Sequence, residues 1–331
     1  MKKTVSLILC IVLLCSCFCF ASAEGGLKLG IAIVTDNAAS ASATADADGL
    51  NSSDITVAAV LLDENGVIVN CLIDCIQPRV NFNAKGEIVT ESGTTFKSKM
   101  IKQEEYGMRK ASAIGKEWFE QARFFCDYCI GKTADAISGI ALDTANGGSK
   151  PTDADITAGC TINVGDFIEA VTAACAGAEE TGAKATDAFK LCTLTKESSS
   201  KAATADANGN AEADACCVAV TIDENGVYTA CALDVVQSKL AFDATGAIVG
   251  EVKRPVSKKV LQDGYGMRNA SPIGKEWFEQ AAFFTAYVTG KTIDEVQGIA
   301  VEGGKPTDAD LTAGCTISIA DFLTVLSFTK Y

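Results

Sequence analysis

DENGVIVNCLIDCIQ at residues 63–77 returns as DENGVYTACALDVVQ at residues 223–237, and the fold follows from reading the two together. Asp63-Glu64-Asn65-Gly66 is turn chemistry, because Asn-Gly tolerates the positive φ of a tight hairpin. Beyond the turn Val67, Val69, Cys71, Ile73 and Cys75 alternate, the pattern of a strand with one buried face. Ahead of it, Lys28 to Thr35 and Ile55 to Leu62 are apolar runs with β-branched residues, and both suit strands. A second turn, Asn83-Ala84-Lys85-Gly86, is expected to close another hairpin with Glu87 to Thr90. The stretch predicts an antiparallel meander, present twice.

The duplication extends far beyond this hairpin. TADADG at Thr44 is matched by TADANG at Thr204, and YGMRKASAIGKEWFEQARFF at Tyr106 by YGMRNASPIGKEWFEQAAFF at Tyr265. KPTDADITAGCTINVGDF at Lys150 is matched by KPTDADLTAGCTISIADF at Lys305. In the second half of each copy the period changes from two to 3.6. Trp118, Ala122, Phe125 and Cys129 form one helical stripe, and Trp277, Ala281, Phe284 and Val288 repeat it. Ser271-Pro272 reads as a cap and first helical residue, Gly131 and Gly290 as stops, and Thr292 with Glu295 as a capping box. Final helices are expected near Asp166 and Asp321. The fold class is α+β: two tandem copies of an antiparallel sheet packed against helices, at residues 24–175 and 188–331, joined by an Ala/Gly/Glu-rich linker at 176–187.

Residues 1–23 read as an export signal, with Lys2 and Lys3 ahead of the apolar run Val5 to Phe20 and small residues Ala21-Ser22-Ala23 at the cleavage point. A secreted or cell-surface protein is implied; the alternative is a lipid anchor on Cys17, from the lipoprotein-like Leu14-Cys15-Ser16-Cys17. No later stretch has the roughly 18 uninterrupted apolar residues that a membrane span needs. The formal net charge of −14 opposes phosphate backbones, which excludes nucleic acid as a partner. Of the fifteen cysteines, eleven follow the signal without the spacing of a disulfide scaffold, which suits an anaerobic habitat where thiols persist or, as the alternative, a few scattered bridges. Histidine is absent, and with it the usual general base, the commonest zinc ligand and every His-containing triad.

The segment richest in chemistry is AGCTIN at Ala158–Asn163, with AGCTIS at Ala313–Ser318, each just before the last helix of its copy. Glycine and small residues let backbone approach a ligand, and a following helix start offers N–H groups to an anion such as a phosphate. The candidates to face it are Gly159 and Thr161 in the first copy and Gly314, Cys315 and Thr316 in the second; the alternative is a strand or tight turn that uses Gly to pack closely. Preceded by Asp310, AGCTIS resembles the acceptor segment of the bacterial FMN-binding domain family, which serves flavin-bearing electron-transfer chains. The resemblance implies FMN joined through a phosphoester to the Ser318 hydroxyl by a separate flavin transferase, and a redox partner to receive electrons. Ala313, Cys315 and Ser318 depart from the family's usual hydroxyl residue, Ala and Thr. Asn163 has no hydroxyl, so the resemblance confines covalent flavin to the second copy. There Tyr265 would stack on the ring and Arg268 would pair with its phosphate or carbonyl edge, as Tyr106 and Arg109 would in the first; the protein would hold the ring and tune its potential.

The rival reading is a non-catalytic extracellular binding or surface-interaction module, whose paired domains present similar sites to a protein partner. No catalytic residue is assigned, because Asp153, Asp155, Asp308 and Asp310 lack a second carboxylate of fixed position and suit turn caps. Gly131-Lys132-Thr133 and Gly290-Lys291-Thr292 end helices where a P-loop would open one. Cys126 and Cys129 have CxxC spacing, but Thr285 and Val288 stand there in the other copy.

Overall fold

The computed structural model describes residues 26–330. The export signal and Cys17 lie outside them. In the first copy β1 (Lys28–Asp36) pairs antiparallel with β3 (Asp54–Leu62) along its whole length, and β3 pairs with β4 (Ile68–Ile76). The expected turn between β3 and β4 is present: Asp63 Oδ1 accepts from the Asn65 and Val67 amides, and Gly66 sits at φ 75°. A bulge interrupts the register, with Leu61 opposite Asn70 but Leu62 opposite Ile68. The extra residue, Val69, breaks the alternation expected from Val67 onward. Ile68 therefore joins Cys71, Ile73 and Cys75 against the helices, while Val69 packs on the other side of the sheet.

In the second copy β7 (Ala188–Glu197), β8 (Gly209–Ile222) and β9 (Tyr228–Phe242) form one longer sheet in the order β9-β8-β7. The same ladder is split in the first copy into β3–β4 and a separate pair, β2 (Gly49–Ser52) with β5 (Arg79–Phe82). Pro78 accounts for the split: it has no N–H to donate, whereas its counterpart Ser238 continues the ladder opposite Ala213. The linker contributes β6 (Glu179–Glu180), which adds to the edge of β1.

Helices α1 (Trp118–Cys129) and α3 (Trp277–Val288) bury the predicted stripes. Their starts differ from expectation. Ser271 ends a 3-10 turn, and the caps are Glu117 and Glu276, each in a reciprocal box with Glu120 or Glu279 three residues on. That box satisfies the free amides, so the Ser271 hydroxyl accepts instead from the Lys275 amide and Gln280 Nε2. Gly131 and Gly290, at φ 79° and 87°, follow the helix ends, and the Thr292–Glu295 box is present. The last helices are α2 (Gly165–Ala176) and α4 (Ala320–Ser327).

The two sheets lie face to face with helices outside, giving layers in the order helix, sheet, sheet, helix. Ile31, Ile33, Ile55 and Val57 of one sheet fill the space left by Ala215, Cys217 and Ala219 of the other. Phe82 stacks on its own counterpart Phe242, with ring centroids 4.1 Å apart and planes 7° from parallel. Beside them Ala43 N donates to Gly246 O, and the equivalent Ala203 N donates to Gly86 O. Such reciprocal contacts define a pseudo-two-fold axis between the copies. Segments also cross over: Phe96 N donates to Thr195 O, and Thr35 Oγ1 donates to Pro255 O at 2.7 Å.

Candidate functional site

Residues 313–318 form a turn wedged between α3 and α4. A short helix over Ala309–Thr312, capped by Asp308, delivers the chain to Gly314. An added Cβ at Gly314 would lie 2.2 Å from the Phe283 ring, and the same is true of Gly159 against Phe124. The glycines of this motif thus serve close packing on an aromatic ring. Cys315 is fully buried, and burial pushes its thiol up to about 11. Thr316 donates through its amide and hydroxyl to Oε1 of the buried Gln280, at 2.8 and 3.2 Å; Thr161 does likewise with Gln121 in the first copy.

Ser318 is placed differently. It is exposed, its hydroxyl has no hydrogen-bond partner among the described residues, and it stands at a hollow of about 150 Å³ beside Lys196, Lys258, Trp277 and Asp321. Lys196 pairs with Asp321 at 2.7 Å. The Lys258 ammonium lies 4.7 Å from the centroid of Tyr265 and 5.5 Å from that of Trp277. Asp214 completes the floor; its Oδ1 is buried without a partner, while Oδ2 accepts from Gln237. Two ammonium groups and two carboxylates therefore converge on one exposed serine.

Tyr265 is brought to this cluster through Lys258, and its own hydroxyl donates to Gln237. Arg268 is not. Its guanidinium bonds Asp263, Glu279 and the Gly274 carbonyl at the surface, as Arg109 bonds Glu104, Glu120 and Gly115. Lys196, Lys258 and Asp214 escaped the sequence reading because three separate elements carry them. The one available signal was Lys258, which has a lysine counterpart, Lys99, in the other copy.

The first copy lacks this arrangement. Asn163 replaces Ser318 and accepts from the Ser149 amide, Asp36 replaces Lys196, and Asp54, the counterpart of Asp214, is held by Arg79 at 2.7 Å. Its helix instead carries Cys126 and Cys129, buried in the same core as Cys71. All eleven described cysteines are free thiols.

No known protein family matches the chain, and no solved structure does. A chlorophenol reductase of Desulfitobacterium hafniense is 49% identical over 41 residues, 12% of this chain and 12% of that protein's own length. No helix among the described residues is long and apolar enough to cross a membrane.

Proposed function

We propose that this protein is an electron carrier that holds FMN in its second copy through a phosphoester on Ser318. The observation that carries the reading is the exposed, unbonded Ser318 hydroxyl at a hollow walled by Lys196, Lys258 and Trp277. An ester acceptor must be reachable by the transferase, and its anionic diester needs cations nearby. The residues fit the phosphate end of the cofactor. A hollow of about 150 Å³ accommodates a phosphate, and the flavin ring would lie outside it. Lys258 would face the diester directly, and Lys196 would do so at the expense of its pair with Asp321. Asp214 opposes the anion and sets a limit on how deeply it sits. When bound, the flavin would supply the redox chemistry, while the chain would anchor and orient it.

A second reading, a surface-interaction module, draws on Ile101 and Val260. These occupy matching positions in the two copies and are 57% and 66% exposed, so a partner could meet like apolar points twice.

The test is intact mass and visible absorption of the protein co-expressed with a flavin transferase, beside a Ser318→Ala control. A yellow product heavier by FMN less water, absent in the control, is expected. Unmodified mass and no colour would remove the flavin reading and leave the interaction module.

A further inference from the structure

A larger hollow, of about 590 Å³, lies where the linker and β1 of the first copy meet α3 and β9 of the second. That volume is in the range of small-molecule sites, and junctions between units are where such sites concentrate. Comparing the copies shows how it arises. On the helix, Arg123 and Asp127 of the first copy become Ala282 and Ala286; on the strand, Asn70 and Leu72 become Ala230 and Ala232. All four alanines line the hollow. At all four positions the first copy carries the larger side chain.

The most telling of these is Arg123. Its guanidinium lies 5.2 Å over the ring of Phe119 in the first copy, whereas Phe278, the counterpart ring, has Ala282 in that place. Phe278 and Trp277 both contribute to the wall, so aromatic surface that is covered by a planar group in one copy faces the hollow in the other. At the rim each carboxylate has a lysine: Glu179 with Lys259 at 3.5 Å and Glu180 with Lys28 at 3.2 Å. The mouth therefore carries no unbalanced charge to select an ion.

We propose that this hollow binds an uncharged, planar aromatic small molecule, stacked on Phe278 where the first copy stacks Arg123. The ring would displace water from the alanine-lined walls, and the rim groups would meet a single polar substituent. The site does not depend on flavin at Ser318, since Trp277 separates the two hollows and shares a wall with each.

The test is calorimetric titration of the full chain with 2-naphthol, with benzamidine as a cationic planar control. Saturable binding at one site per chain is expected, weakened ten-fold or more by Ala282→Arg and unchanged by Ser318→Ala. Ala282 is exposed and arginine is what the first copy carries there, so the variant should fold; Ala232→Leu fills the hollow from the strand side and should weaken binding likewise. No saturation with 2-naphthol, wild-type affinity retained in both filled variants, or preferential binding of benzamidine would each overturn the proposal.

Discussion

Replacing Asp74 and Asp234 together by asparagine should remove a large part of the protein's loss of stability between pH 5 and pH 7. These aspartates occupy matching positions on β4 and β9, almost wholly buried, and burial raises each carboxyl from its ordinary 3.8 to about 6 against the opposing pull of neighbouring amides and serine hydroxyls. A carboxyl with a raised folded pKa binds its proton more tightly folded than unfolded. It therefore favours the fold in acid, and stability falls as pH rises from about 4 through about 6. A shift of this size corresponds to about 3 kcal/mol per group above pH 7, somewhat under half of which develops between pH 5 and 7, or roughly 3 kcal/mol for the pair. The amide keeps an acceptor for the Met100 and Lys259 N–H groups that now bond Oδ1 of Asp74 and Asp234, and it has no proton to lose. Urea unfolding at the two pH values gives the comparison, because Asp166 and Glu212, also raised by burial, titrate in both proteins. Equal pH dependence in wild type and the double variant would refute the argument.

Two further outcomes follow from packing, beside those for Ser318 and the junction hollow. Gly314→Ala should destabilise the fold by about 1–3 kcal/mol in thermal or urea unfolding, since the new methyl meets the Phe283 ring. Native protein should expose few thiols to Ellman's reagent at pH 8, chiefly Cys175, Cys192 and Cys231, which are only partly buried; the other eight should react after unfolding.

Much of the layout was legible because local chemistry dictates it. The hairpin at Asp63 announces itself through Asn-Gly, and the Trp118 and Trp277 stripes through their period. Ile55 to Leu62 carried an additional signal, since an almost unbroken apolar run marks a strand covered on both faces, and here helices lie on one side and the second copy's sheet on the other. The helix caps were harder to read, because glutamate is not a favoured capping residue and Ser271-Pro272 imitates one. The segment at 313–318 was recognised, but most of it serves packing: Gly314 and Thr316 tie the turn to α3, while the Ser318 hydroxyl opens outward. The lysines and the carboxylate around it converge through tertiary structure, which no sequence spacing encodes.

The stacking of Phe82 on Phe242 has a consequence for how this molecule can change. In an assembly of two identical chains every substitution appears at both related places, so a residue that improves one site alters its twin. Joining the halves in one polypeptide lifts that constraint while retaining the shared interior. Serine can then stand at 318 with asparagine at 163, and alanine at 282 with arginine at 123. One half is free to acquire openings and exposed groups because the other half continues to supply the rigid surface against which it folds.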